Sequence, residues 1–237
     1  NANLLLYGYG SYGSSMSPAF SSTRLSLIDR DIIWVTAHAR GGMERGMKWW
    51  DEGKMLNKKN TFKDYIFCAE FLIKRKYTSK RKIIGMGGSA GGLLMGAVVN
   101  QKPELFLGII MAVPFVDSLT TNLDHSLPLT VGEFKEFGNA KNNKKHFQYI
   151  YSYAPYNNIK KMDYPHMLIT TSLSDNRVLF DEPAKYTAKL REYKTDNNVL
   201  LLKTEMEAGH GGKSGRDGAI EEIAIDYAFA LKISKKI

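Results

Sequence analysis

Residues 83–92 read Ile83-Ile84-Gly85-Met86-Gly87-Gly88-Ser89-Ala90-Gly91-Gly92. Ile83 to Met86 is a short apolar run and predicts a buried strand. Ala90 to Asn100 is apolar on nearly all sides and predicts a buried helix. Between them, Gly87-Gly88-Ser89-Ala90-Gly91 matches G-x-S-x-G. A bare match is common, but a strand before it and a helix after it make it a nucleophile elbow. Such a turn holds its serine strained and exposed. Small residues must flank that serine, since larger ones would strike the neighbouring strand and helix. The helix N-terminus behind Ser89 favours developing negative charge.

Strands alternate with helices on both sides of this turn. Strands are predicted over Leu4–Tyr7, Ile32–Ala37, Leu107–Val113, Met167–Thr171 and Val199–Lys203. Helices are predicted over Ser22–Asp29 and from a Thr61 N-cap to about Lys76. Two more run over Glu182–Tyr193, capped by Asp181, and over about 220–231. This alternation predicts an α/β fold with a mostly parallel sheet and helices on both faces. Residues 114–164 carry little periodicity and read as an insertion over one end of the sheet. Residues 1–237 read as a single domain.

An acyl-transfer serine needs a base, and the base needs an orienting carboxylate. In the α/β-hydrolase order these follow as Ser, Asp or Glu, then His. Asp175 follows the strand 167–171, and His210 follows the strand 199–203 within Ala208-Gly209-His210-Gly211-Gly212. Both lie past strand C-terminal ends, where open α/β sheets place their sites. His38 precedes Ser89 and has the wrong order. His125, His146 and His166 read as structural or surface residues. Asp181 competes with Asp175, but its better role is the helix cap. The oxyanion donors are the Ala90 N–H and a group from the loop Gly8 to Gly13, where the Tyr9 hydroxyl is one option.

The remaining composition excludes more than it names. Hydrophobic residues make up 43% and charged residues 24%, so the chain is globular rather than disordered. No apolar run reaches about 18 residues, and no membrane span is expected. The net charge is +9, but the lysines are scattered in short groups. That scatter argues against nucleic-acid binding. No metal-ligand spacing occurs, and no cofactor is expected. Cys68 is the only cysteine, which fits a reducing, cytoplasmic setting.

Several segments together carry a resemblance. They include Leu6-Tyr7-Gly8-Tyr9-Gly10-Ser11-Tyr12-Gly13, Arg40-Gly41-Gly42, the elbow, and Gly209-His210-Gly211-Gly212. Val113-Pro114-Phe115-Val116-Asp117, Leu129-Thr130-Val131-Gly132-Glu133-Phe134 and Glu182-Pro183-Ala184-Lys185 add to it. The chain resembles the prolyl oligopeptidase family of serine peptidases, and its branch that cuts short peptides after Arg or Lys. The resemblance implies Ser89 as nucleophile, Asp175 as orienting carboxylate and His210 as base. It implies Tyr9 and Ala90 as the oxyanion donors. It implies Glu133 in the pocket for the basic side chain, and Arg177 on the substrate backbone. A second acid found in relatives two residues after Glu133 is Lys135 here. Acids found near Ser17 and Ala19 in relatives are also missing, so a single basic residue should suffice for cleavage. The family places a β-propeller before this domain, which implies a separate propeller-containing chain as partner. The first strand resembles the third of the hydrolase sheet, so the first strands are expected to be missing and one sheet edge exposed. An inactive or partner-dependent fragment and a carboxylesterase are the competing readings.

Overall fold

A computed structural model describes residues 2–236. Among these residues, six strands form one parallel sheet in the order β2-β1-β3-β4-β5-β6. They are β1 (Asn3–Gly8), β2 (Ile32–Ala37), β3 (Ile83–Gly88), β4 (Phe106–Ala112), β5 (His166–Ser172) and β6 (Leu200–Glu205). The helices are α1 (Ser22–Ile28), α2 (Met47–Asp51), α3 (Lys59–Lys74), α4 (Ala90–Gln101), α5 (Ser118–Leu123), α6 (Thr130–Phe137), α7 (Lys144–Tyr151), α8 (Asp181–Tyr193) and α9 (Gly215–Ile233).

The two-residue period of a strand sorts its side chains onto two faces. Leu4 and Leu6 of β1, Ile83 of β3, Ile109 and Met111 of β4 and Ile169 of β5 join one core. That core also holds Phe62 and Tyr65 of α3, most of α4, and Tyr186 and Leu190 of α8. The alternate residues Leu5, Ile84, Ile110 and Leu168 pack on the other face, against Leu27 of α1 and Tyr227, Phe229 and Ala230 of α9. Helices therefore cover both faces, as the alternation predicts.

β2 and β6 are the edge strands, and β1 is second from an edge. Four central residues of β2 are half-buried, in keeping with an edge position. The segment 114–164 is more ordered than its weak periodicity suggests, since it holds α5, α6 and α7. Two boundaries also differ from expectation. α3 begins at Lys59, and Thr61 lies inside it with its hydroxyl donating to the Arg40 carbonyl at 2.6 Å. Asp181 is the first residue of α8, not its cap.

Candidate active site

β3 ends at Gly88 and α4 begins at Ala90, so Ser89 alone makes the turn. Its φ is 53° and its ψ −119°, a left-handed conformation that costs energy for any residue but glycine. Neighbouring backbone holds it there. The Ser89 N–H donates to the Ala112 carbonyl at the end of β4 (2.8 Å), and the Ser89 carbonyl accepts from Phe115 N–H (3.0 Å). The elbow tolerates no bulk on its inner side. A Cβ on Gly87 would lie 2.5 Å from the Gly91 carbonyl oxygen and 2.8 Å from that of Gly8.

The loops after β5 and β6 bring the two partners to this serine. Asp175 lies three residues past β5 and is buried. Its Oδ1 accepts the N–H groups of Arg177 (2.8 Å) and Val178 (3.0 Å). Its Oδ2 is 2.7 Å from Nδ1 of His210. On the other side of the ring, Nε2 lies 3.0 Å from Ser89 Oγ. Three residues separated by up to 121 positions thus form one hydrogen-bonded line. A ring whose Nδ1–H points to a carboxylate presents its Nε2 lone pair to the hydroxyl, the arrangement a base requires.

A cavity of 340 Å³ opens on Ser89 and His210. Tyr9 and Tyr12 enter it from the loop after β1, Phe115 from the loop after β4, Glu133 from α6 and Arg177 from the loop after β5. Tyr9 lines the cavity together with Ser89, and burial raises its pKa above the usual tyrosine value. It is therefore a neutral donor at ordinary pH. Tyr12 Oη donates to Glu133 Oε2 at 2.7 Å. Burial raises the Glu133 pKa, while the Tyr12 hydrogen bond opposes the rise. Arg177 is exposed at the rim. Lys135 is exposed and does not line the cavity, so it does not compete with Glu133 there.

The expected residues Ser89, Asp175, His210, Tyr9, Ala90, Glu133 and Arg177 all meet at one end of the sheet. The remaining histidines lie elsewhere. His166 is in β5, His146 Nδ1 accepts the Asn139 N–H, and His125 packs edge-on against Phe134. Near the acid-poor stretch 15–19, Glu44 arrives from a different loop and accepts the Met16 N–H at 3.0 Å. Sequence reasoning gave no role to Tyr12, Phe115 or Glu182 in this cavity. All three stood inside quoted motifs, but only folding shows which way a side chain from such a motif is turned. Among the described residues, no cluster of His, Cys, Asp and Glu is suited to a metal ion. No helix among them is long and apolar enough to cross a membrane.

The model of the prolyl oligopeptidase family matches residues 18–236. The chain belongs to the prolyl oligopeptidase family. Family members with high identity include Protease 2 of Moraxella lacunata, 54% identical over 97% of this chain and 33% of that protein. Dipeptidyl aminopeptidase BI of Pseudoxanthomonas mexicana is 49% identical over 97% of this chain and 32% of its own length. The structure of oligopeptidase B from Leishmania major superimposes with a TM-score of 0.97 at 47% identity, covering 99% of this chain and 33% of that one. Oligopeptidase B from Trypanosoma brucei, solved with covalently bound antipain, gives 0.96 at 48% identity. The chain thus spans about a third of the length of these family members, and it matches their hydrolase part.

Proposed function

We propose that the chain is the catalytic unit of a serine peptidase that hydrolyses oligopeptides after Arg or Lys. The observation that carries this reading is the line Ser89 Oγ–His210 Nε2–His210 Nδ1–Asp175 Oδ2, at 3.0 and 2.7 Å. In this reading His210 takes the hydroxyl proton as Ser89 Oγ attacks the scissile carbonyl. Asp175 fixes the ring and balances the imidazolium that forms. The Ala90 N–H and the Tyr9 hydroxyl receive the oxyanion. His210 then hands its proton to the leaving amine. A water molecule repeats the sequence in reverse, releasing the acid and restoring Ser89.

The preference for a basic side chain rests on Glu133. A cation entering a partly dry cavity needs a carboxylate, because desolvating it unpaired is costly. Phe115 supplies an aromatic wall for the aliphatic stem and the charge. Arg177 at the rim is placed to hold the substrate backbone. The stretch 15–19 has no acid, so a second basic residue before the cleaved bond should add little. The family resemblance supports a β-propeller that restricts entry to short peptides, from the same protein or a partner chain. The single cysteine supports a cytoplasmic setting.

The test is to incubate the purified chain with a fluorophosphonate and with a fluorogenic arginyl peptide. Modification at Ser89 together with release of the fluorophore after Arg is the expected result. Absence of labelling, both alone and with a propeller-containing partner, overturns the peptidase reading. Labelling with hydrolysis of simple esters but not peptides would favour a carboxylesterase.

A further inference from the structure

The cavity at Ser89 contains a second carboxylate that the mechanism above leaves idle. Glu182 stands in the first turn of α8, is 3% exposed, and lines the same cavity as Glu133. Its Oε1 accepts from the Thr121 hydroxyl at 2.5 Å, and its Oε2 accepts the Asp117 N–H at 2.9 Å. A carboxylate offers about four acceptor sites. These two bonds use half of them.

Its charge has no dedicated partner. Lys185, one turn further along α8, is committed to Asp117 at 2.7 Å and Asp181 at 3.1 Å. Burial, aided by the Asp117 carboxylate, raises the Glu182 pKa to about 7, while the Thr121 and Asp117 hydrogen bonds and Lys185 oppose the rise. The group is therefore divided between neutral and charged forms near pH 7. The other charged or titratable groups on this cavity are Glu133 on α6, Arg177 and His210 on loops, and the tyrosines Tyr9 and Tyr12. The cavity between them is walled by Leu127, Leu129 and Val178, which suit the methylenes of a long side chain.

We propose that Glu182 is a second acid of this pocket, receiving the head of a substrate Arg or Lys alongside Glu133 and releasing its proton to solvent as the ion pair forms. The proposal rests on the reading of the cavity as a pocket for basic side chains. In the step, the carboxyl O–H bond breaks, the proton leaves to buffer, and the cation takes its place. A purely structural Glu182, fastening α5 and the 114–117 loop, would be replaceable by glutamine, whose carbonyl still accepts hydrogen bonds.

Calorimetry with N-acetyl-arginine amide and its neutral citrulline analogue, from pH 6 to pH 8 in two buffers of different ionisation enthalpy, tests this. The arginine probe should bind the wild-type chain about tenfold more tightly at pH 8 than at pH 6, with proton release near pH 7. Glu182→Gln should weaken binding at pH 8 about tenfold, flatten the pH slope and abolish the proton release. Glu133→Gln should weaken binding yet keep the slope, which separates the two acids. Wild-type affinity and slope in Glu182→Gln overturn the proposal and leave the basic-pocket reading standing. Equal binding of the arginine and citrulline probes to the wild type overturns that reading itself. Should Glu182→Gln fail to fold, a flat wild-type profile without proton release overturns the proposal, and retention of the slope in Glu133→Gln upholds it.

Discussion

Lys58 Nζ lies 3.3 Å from Glu136 Oε1, and both side chains are almost wholly removed from water. The ammonium also donates to the Gly10 carbonyl (2.8 Å) and contacts Ser11 Oγ (2.5 Å). Glu136 accepts in turn from Tyr12 N–H (3.0 Å) and Trp50 Nε1–H (2.9 Å). One buried ion pair therefore fastens the loop bearing Tyr9 and Tyr12 to α6, the helix that bears Glu133. Removing one partner strands the other charge. Lys58→Met should cost about 3–5 kcal/mol in urea unfolding. The double variant Lys58→Met/Glu136→Gln should recover part of that loss. A double-variant loss equal to the sum of the Lys58→Met and Glu136→Gln losses would show that the pair carries no coupling.

The sequence made the elbow legible because everything it needs is local: a strand, a tight glycine turn and a helix within 18 residues. The order Ser, Asp, His was legible because each residue follows a strand. The loop-to-α6 connection was not. Tyr12 meets Glu133 across 121 positions, and no periodicity reports such a contact. The helices α5, α6 and α7 are only 6, 8 and 8 residues long, too short to show a clear apolar stripe. Each gives a single buried residue to the core, Leu119, Phe137 and Ile150, and polar bonds add to this, as where the Asn122 side chain spans the Gly138 carbonyl (2.8 Å) and the Ala140 N–H (2.7 Å). Thr61 shows the same limit. It resembles a cap in sequence, yet its hydroxyl is claimed by the distant Arg40 carbonyl, and the helix starts earlier.

Tyr12→Phe tests how Glu133 is held. The Tyr12 hydroxyl favours the ionised carboxylate, so its loss should raise the Glu133 pKa further. An acid with a higher pKa is charged over less of the acidic range. The KM for an arginyl peptide should then rise most at pH 5–6, by about threefold to tenfold, and least at pH 8. The kcat should change little, since Tyr12 does not touch the reacting atoms. A uniform rise at every pH would point to lost packing instead.

Asp226 gives a stability prediction away from the catalytic line. It lines a separate cavity of 310 Å³ behind the His210 loop, with Glu222 and Lys203. Burial first, then Glu222, raises its pKa to about 7, against the pull of Lys203. A carboxyl whose folded pKa exceeds its unfolded one stabilises the fold fully below about pH 4, and that contribution is lost as the pH climbs through 7. Asp226→Asn should therefore change stability little at pH 4 to 5 and add about 2 kcal/mol at pH 8. Thermal unfolding of both proteins at the two pH values checks this. Parallel curves would show that Asp226 is not the group responsible.

Gly87 and Gly88 are neighbours in the elbow, yet they should respond differently to an added methyl. On Gly87 the new Cβ would meet the Gly91 and Gly8 carbonyl oxygens at 2.5 and 2.8 Å, contacts that only backbone movement relieves. On Gly88 its first contact is the Ala112 oxygen at 3.3 Å, which a small shift accommodates. Gly87→Ala should thus destabilise by about 2–3 kcal/mol and slow fluorophosphonate labelling of Ser89 by about a hundredfold. Gly88→Ala should retain most of both. The contrast separates two causes of lost activity: a flexible glycine turn would suffer alike at either position, whereas a turn pressed between β1 and α4 fails only where the backbone closes on it.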